Sequence, residues 1–233
     1  MAKHGKAYQK AAELVERGKA YPLDRAIELV RSASLTKFDA SVDIVVVTGL
    51  DTRHADQQLR GAIGLPNGTG KETCIACFCK GEKEIEAREA GADIIGSEEL
   101  AKEIKEGRMD FDMVLATPDM MKVVGSLGRI LGPRGMMPNP KTGTVTFDIG
   151  EAIKEYKAGK VTFRADSGGL IHSKVGRVSF EADKLTENVL AFMDFIVKNR
   201  PSGAKSQYIK KVVLSSTMGP GIRVDLRDLT SAA

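Results

Sequence analysis

Three cysteines lie close together at Cys74, Cys77 and Cys79, and a Cys-x-x-Cys pair can bind zinc or carry out thiol redox chemistry. A structural zinc site needs four ligands, but the sequence has no second cysteine pair and its histidines are scattered. A redox pair would lie at a helix N-terminus, whereas these cysteines lie in the apolar segment TCIACFC, which is typical of a buried strand. We therefore predict core cysteines and no metal site.

The segment from Asn67 to Lys71 (NGTGK) has the residue types of a phosphate-binding loop. Two positions of that motif fail, because Leu65 stands where the first glycine belongs and Glu72 stands where serine or threonine must follow the lysine. The segment also leads into a strand pattern and not into a helix. We interpret it as a linker turn, and no ATP, GTP or other cofactor is expected.

No catalytic constellation is found in the sequence. Asp110 and Asp112 could form a carboxylate dyad, but a polar loop before the next strand explains them better, and no GxSxG or HExxH motif occurs. We therefore predict that the protein is not an enzyme. A nucleotide-dependent enzyme and a protein-interaction module remain as alternatives; the first would be stabilised thermally by millimolar ATP or NAD.

The apolar spacing divides the chain into a middle part and two ends. In the middle it predicts strands at Thr73–Phe78, Ala92–Ile95 and Met113–Ala116, alternating with helices at Glu82–Ala90, Glu98–Glu106, Asp119–Val124 and Ile149–Tyr156. In the ends it predicts helices at Lys3–Arg17, Pro22–Val30 and Leu185–Ile196, and strands at Ser41–Leu50, Ala62–Leu65, Lys160–Arg164, Ile171–Phe180, Tyr208–Ser216 and Ile222–Asp225. The strands on either side of Asp166–Gly169 are predicted to form a hairpin. This order predicts a discontinuous α+β domain (residues 1–66 plus 160–233) with an inserted α/β domain (residues 67–159).

Charge is distributed unequally between these parts. The two ends together hold 22 basic and 15 acidic residues, a net charge of +7, whereas residues 67–158 carry a net −3. A basic part beside a mildly acidic one indicates a polyanionic partner for the ends alone. With no secretory signal, no apolar run long enough to span a bilayer and free cysteines, the expected compartment is the cytoplasm.

The segment from Gly125 to Gly143 (GSLGRILGPRGMMPNPKTG) interrupts the regular α/β pattern with five glycines and three prolines. It carries Arg129, Arg134 and Lys141. This composition fits either an ordered loop that presents basic side chains at a surface or a disordered glycine-rich lid.

The segment GRILGPRGMMPNPKTGTV resembles the signature of the bacterial ribosomal protein L1 family, the first protein of the large ribosomal subunit. Further similar motifs follow in the same order along nearly the whole chain: Lys37-Phe38-Asp39, Asp51–Gly61, Gly91-Ala92-Asp93, Asp110-Phe111-Asp112, Ala116-Thr117-Pro118-Asp119 and Ser216–Pro220. The resemblance implies the two-domain plan above, with an inserted Rossmann-like, three-layer domain that binds no nucleotide.

The resemblance also implies the partners and the contact residues. The partners are the hairpin of the mobile ribosomal RNA stalk near the tRNA exit site, a similar structure in the protein's own operon mRNA, and exit-site tRNA. The two main RNA patches implied are residues 36–41, with Thr36, Lys37, Phe38 and Ser41, and residues 215–221, with Ser215, Thr217, Met218, Gly219 and Gly221. Off the ribosome we expect a monomer that does not associate with a membrane.

The chemistry of these residues suits folded RNA. Lys37 can neutralise phosphate, serine and threonine hydroxyls can bond 2′-hydroxyls, and glycines allow close backbone approach. Phe38 fits either an RNA contact or the core. A third contact is predicted around the turn at 166–169, with Arg164, Ser167, Gly169, His172 and Lys174, although a polar hairpin has the same pattern. Arg129, Arg134 and Lys141 are candidates for contact with tRNA or the outer stalk.

Overall fold

A computed structural model describes residues 5–16, 18–201, 203–204 and 207–230 of the protein. Its α-helices are α1 (Lys6–Glu13), α2 (Leu23–Ser32), α3 (Glu82–Glu89), α4 (Glu98–Glu106), α5 (Met121–Gly125), α6 (Gly128–Leu131), α7 (Ile149–Lys157), α8 (Ala182–Lys198) and α9 (Leu226–Thr230). Its strands are β1 (Ser41–Thr48), β2 (Arg60–Gly64), β3 (Ile75–Phe78), β4 (Ile94–Gly96), β5 (Met113–Ala116), β6 (Lys160–Arg164), β7 (Leu170–Arg177), β8 (Ile209–Ser216) and β9 (Ile222–Val224). Short 3₁₀ helices occur at Ala55–Gln57, Pro118–Met120 and Pro140–Thr142.

The chain forms two compact units. One consists of Met1–Gly70 and Val161–Ala233, and the other of Lys71–Lys160. The chain is therefore a mixed α/β protein with several sheets. The predicted domain boundaries, after residues 66 and 159, and the independent folding of the two domains remain predictions.

The first unit is built on an antiparallel sheet with the strand order β7-β1-β8-β9. In β1 every second residue, including Val42, Ile44 and Val46, is buried, so one face of the strand points to the core and the other faces outward. Helices α2 and α8 cover the core face with apolar stripes at helical spacing, such as Phe192 and Ile196 in α8. The outward face carries polar side chains such as Asp43 together with half-buried valines such as Val45.

The predicted turn at 166–169 is confirmed, since the backbone N of Asp166 donates to the carbonyl of Leu170 at 2.9 Å, but the two strands beside it do not form a hairpin ladder with each other. Strand β6 pairs with β2 in a separate two-stranded sheet, whereas β7 pairs with β1, and a single bridge between Ala165 and Ile171 joins the two sheets. Strand β7 also ends at Arg177 and not at Phe180. The chain turns there because the carboxylate of Asp39 accepts hydrogen bonds from the backbone N and the hydroxyl of Ser179, at 3.1 and 2.8 Å.

The second unit has a parallel sheet in the order β4-β3-β5 with helices on both faces. On one face the core contains α3 and α7 residues such as Ala87 and Ile153, and on the other face it contains α4 and α6 residues such as Ile104 and Leu131. Because both faces of β3 are covered, all four of its residues are buried, which explains its continuous apolar sequence.

Candidate nucleic-acid interface

The two predicted RNA patches lie together at one end of the four-stranded sheet. Strand β1 runs antiparallel to β8, with Val42 opposite Ser216, so the start of β1 lies beside the turn that follows β8. Three hydrogen bonds join Ser41 and Thr217. The backbone N of Ser41 donates to Oγ1 of Thr217 and the backbone N of Thr217 donates to the carbonyl of Ser41, both at 3.1 Å, and Oγ1 of Thr217 donates to the same carbonyl at 3.4 Å. Residues 36–41 and 215–221 therefore form one continuous surface, called the joined patch below.

Met218 stands at the tip of this patch in an unusual backbone conformation. The backbone N of Gly219 donates to the carbonyl of Ser216 at 2.9 Å and closes a four-residue turn whose third position is Met218, with φ 65°. Such a φ matches a type II turn, in which this position usually holds glycine. The side chain is 76% exposed. An exposed apolar side chain held in a strained conformation points to a binding role.

Gly219 is required by the packing of the turn, in addition to the close approach of RNA that a glycine allows. A Cβ atom at this position would lie 2.2 Å from Oγ of Ser216 and 3.3 Å from the carbonyl oxygen of Ser216. Ser216 is itself buried, and its hydroxyl forms no hydrogen bond within the described part of the chain. At Gly221 a Cβ would lie 3.0 Å from Cγ1 of Val213. The turn thus has no room for side chains on its inner side.

The residues before β1 present their side chains to solvent. Phe38 is 63% exposed, so the core alternative for this residue is wrong. The hydroxyl of Thr36 donates to the carbonyl of Phe38 at 3.0 Å and so fixes the local bend, and Lys37 is exposed. Desolvation opposes ionisation of Asp39, but hydrogen bonds from Ser179 and the Arg177 guanidinium outweigh it and lower the pKa of Asp39. This carboxylate is held by protein groups and keeps the segment in place.

The residues of the predicted third contact lie in separate places, because the pairing of β7 with β1 sets how far each residue is from the joined patch. Gly169 lies at the far end of β1, where its carbonyl accepts a hydrogen bond from the backbone N of Thr48 at 3.0 Å. Ser167 and Gly169 are therefore about 20 Å from the joined patch, given about 3.4 Å per residue along six residues of β1. Arg164 is exposed at the end of β6. The structure does not bring these three residues to the joined patch.

His172 and Lys174 lie closer, on the outward face of the sheet. Lys174 is opposite Asp43 on one side, and Ser215 of the joined patch is opposite Asp43 on the other. His172 pairs with Val45, two residues further along β1, and both basic side chains are exposed. Burial raises the pKa of Asp43, although Lys174 and His172 partly offset this effect. Asp43 is an acidic group beside the joined patch that the sequence analysis did not single out.

In the second unit, the glycine-rich segment is ordered, so the interpretation as a disordered lid is wrong. It contains α6 and the 3₁₀ turn at Pro140–Thr142, and Leu127 and Leu131 are fully buried. The hydroxyl of Tyr156 donates to the carbonyl of Thr142 at 2.7 Å and holds the segment against α7. Three basic side chains of the segment are exposed on the surface of this unit: Arg129, Arg134 and Lys141.

The NGTGK segment is held by α8 and leads into β3, not into a helix. The backbone N of Asn67 donates to Oδ1 of Asn188 at 3.0 Å, and its side chain donates to Oε2 of Glu187 at 2.7 Å. Asn188 is fully buried and donates in turn to the carbonyls of Gly68 and Val175, at 3.0 and 2.7 Å. This segment is a linker anchored by a satisfied buried amide, as the sequence indicated.

The prediction of core cysteines is confirmed for two of the three. Cys74 lies before β3 and is only half-buried, and its thiol donates to the carbonyl of Asp110 at 3.1 Å near the surface. Cys77 and Cys79 are fully buried, with their sulfurs 3.8 Å apart, and the contact with Cys79 together with burial raises the pKa of the Cys77 thiol. Among the described residues, no group of three or more His, Cys, Asp or Glu side chains could hold a metal ion. Within the same residues, no helix combines the length and the apolar character needed to cross a membrane.

Two basic residues on the outward face were also missed by sequence reasoning. Lys211 of β8 and Arg223 of β9 lie on this face, because Val212, Leu214, Ile222 and Val224 fill the core-facing positions of these strands. The alternation of apolar residues in the two strands could have identified them. That alternation alone does not show which strands are neighbours, so it does not place either residue beside the joined patch.

One comparison with known proteins gives the identity of the fold. The sequence model of the ribosomal protein L1p/L10e family matches residues 30–220, which is more than four fifths of the chain. The match covers the whole second unit, most of the first unit and all of the joined patch except Gly221. Proteins of this family are structural and are not enzymes. The chain therefore belongs to the ribosomal protein L1p/L10e family, as a protein of the large ribosomal subunit that binds ribosomal RNA.

Proposed function

We propose that the joined patch binds the hairpin of the mobile ribosomal RNA stalk near the tRNA exit site. The observation that carries this proposal is the position of Met218, which is exposed at the tip of a tight turn that is hydrogen-bonded, through Thr217, to the segment with Lys37 and Phe38. Aromatic and thioether side chains can pack on sugar and base faces, and Lys37 can neutralise a phosphate. Trp is absent and aromatic residues make up only 5% of the chain, so recognition rests on the shape and backbone of a folded RNA.

The hydroxyl of Thr217 has a different role from the one predicted for it. Because it accepts a hydrogen bond from the backbone N of Ser41, it connects the two segments and presents Met218, and it can accept from RNA only with its remaining lone pair. Ser215, exposed in part beside Asp43, is free of that constraint. We assign Thr217 to positioning and Lys37, Phe38 and Met218 to contact.

The experiment that tests the binding site compares two substitutions of exposed apolar residues by aspartate. Met218→Asp places a carboxylate at the tip of the joined patch, whereas Ile85→Asp makes the same charge change at a residue of the second unit that is 63% exposed. Titration against the stalk hairpin at fixed salt should show a loss of at least about tenfold for Met218→Asp and a small change for Ile85→Asp. Equal affinities for both variants would remove the turn from the binding site.

In the same proposal, the joined patch also binds the protein's own operon mRNA and represses its translation. A similar structure in the protein's own operon mRNA would compete for the joined patch, so excess protein that is not bound to the ribosome represses its own synthesis. A reporter gene placed behind that leader should be repressed by the wild-type protein and by Ile85→Asp, but not by Met218→Asp. Repression by all three proteins, including Met218→Asp, would show that the mRNA and the ribosomal RNA bind at different sites.

The second unit, in this proposal, assists the release of deacylated tRNA. Arg129, Arg134 and Lys141 are exposed cations on a unit whose overall charge is slightly negative, which favours a local contact with tRNA or the outer stalk over general RNA binding. Neutralising all three to Gln should slow the release of deacylated tRNA from reconstituted ribosomes and leave affinity for the stalk hairpin unchanged. A charge-matched control neutralises Lys102, Lys105 and Lys154 of the same unit, which are exposed elsewhere.

A further inference from the structure

A groove of about 330 Å³ lies between α1 and the outward face of β8 and β9, within the first unit. Its volume is in the range of sites that hold small ligands. Residues of α1 and the segment after it form one wall, among them Tyr8, Ala12 and Val15. The floor is formed by Lys211, Val213 and Arg223.

The fold builds this groove through the segment that joins α1 to α2. Tyr21 forms a parallel bridge with Val224: its backbone N donates to the carbonyl of Arg223 at 2.9 Å, and its carbonyl accepts from the backbone N of Asp225 at 2.8 Å. The hydroxyl of Tyr21 accepts a hydrogen bond from the backbone N of Glu16 at 3.0 Å. The segment is thus fastened along the edge strand β9, and α1 comes to lie beside the outward face of the sheet.

The side chains in the groove combine unpaired positive charge with apolar surface. Among the described residues, no carboxylate lies within ion-pair distance of Lys211 or Arg223, whereas Lys19 at the rim is paired with Glu16 at 2.9 Å. Val213 lies between Lys211 and Arg223 on the same face, since Val213 and Arg223 are directly opposite each other in the β8–β9 ladder. Two cations on either side of an apolar residue match the phosphates and the sugar or base of a nucleotide.

The groove is also continuous with the joined patch. Pro220 and Gly221 line it, and both belong to the turn whose tip is Met218. An RNA strand in contact with Met218 can therefore continue into the groove past these two residues. The charge and the continuity together favour the bound RNA as the occupant.

We propose that this groove holds one nucleotide of the RNA bound at the joined patch. Lys211 and Arg223 bind its phosphates, and Val213 and Val15 contact its sugar or base. This inference rests on the proposed function, because it extends the same RNA interface from the turn at 217–221 onto the sheet. It adds two phosphate contacts that the sequence patterns did not indicate.

The test measures affinity for the stalk hairpin, with its flanking nucleotides, as a function of salt. The double variant Lys211→Gln/Arg223→Gln should weaken binding by about tenfold and reduce the log-log salt slope by about two, since each neutralised phosphate contact contributes about 0.9. The control is Lys210→Gln/Arg227→Gln, which removes the same charge from exposed positions of the same unit outside the groove. A loss no larger than that of the control overturns the proposal.

A second variant distinguishes a nucleotide bound in the groove from a general electrostatic attraction between RNA and the protein. Ala12→Met keeps the charge and suits a helix, but it fills the groove from the α1 wall. It should weaken RNA binding with an unchanged salt slope, and wild-type affinity for this variant overturns the proposal. If the wild-type protein itself does not bind the hairpin, the proposed function fails. If Met218→Asp weakens binding while the groove variants match the control, the groove inference alone fails.

Discussion

Replacing Met218 by glycine should make the protein more stable and a weaker RNA binder. An L-residue with φ near 65° costs roughly 1–2 kcal/mol, which glycine does not incur. Glycine in turn loses about 0.5–1 kcal/mol through the larger conformational entropy of the unfolded chain. Because the side chain is 76% exposed, little burial is lost. The net expectation is a gain of about 0.5–1 kcal/mol in the free energy of unfolding.

The effect of this substitution on binding follows from the same exposure. Full burial of a methionine side chain stabilises by about 1.5–3 kcal/mol, and RNA would cover the exposed three quarters of it, so about 1–2 kcal/mol of binding free energy is at stake. This corresponds to roughly a 5- to 30-fold loss of affinity for Met218→Gly.

Met218→Ala is the matched control for the two effects. It keeps the strained backbone and removes most of the side chain, so its affinity should fall like that of Met218→Gly while its stability stays close to wild type. Urea unfolding and hairpin titration of the three proteins give the comparison. Wild-type affinity in both variants would show that RNA does not cover the side chain. A glycine variant less stable than the alanine variant would refute the strain at position 218.

Four further substitutions give distinct expectations. Thr217→Ala removes the hydrogen bond with Ser41, so it should cost about 0.5–1.5 kcal/mol in urea unfolding and also weaken RNA binding. Lys37→Gln should lower the salt slope of binding by about one or less, measured by titration at several salt concentrations. Asp43→Asn removes a negative charge beside the patch and should tighten binding by about two- to fivefold, or about 0.5–1 kcal/mol. Asp39 has a lowered pKa, so it stabilises the fold above pH 3.8 and this contribution is lost as the pH falls through the lowered value; Asp39→Asn should show no such loss on acid titration of stability.

Elements with a strong local pattern were predictable from the sequence. The bounds of α4, β5 and β6 agree with prediction to the residue: Gly107 follows α4, the apolar run of β5 stops before Thr117, and Gly159 precedes β6. The first helix is shorter than predicted at Lys6–Glu13, and the predicted ends Lys3 and Arg17 lie outside the described residues. Both segments of the joined patch are identifiable from the family resemblance and not from the spacing of apolar residues.

Features set by strand order were not predictable. The turn at 166–169 has an ordinary hairpin sequence, yet its two flanking strands pair with different partners, since the choice depends on β1 and β2, which are more than a hundred residues away. The separation of Ser167 and Gly169 from the joined patch follows from that register. The same holds for the exposure of Phe38 and the positive φ of Met218, which depend on contacts between distant segments.

The most direct test of RNA binding at the joined patch is to crosslink the full-length protein to the stalk hairpin with ultraviolet light and identify the attached peptides by mass spectrometry. Crosslinked residues should include members of 36–41 and 215–221, and Met218→Asp should reduce the yield of these crosslinks. Crosslinks found only in residues 71–160, with the joined patch unmodified, would contradict this assignment and place RNA recognition in the second unit.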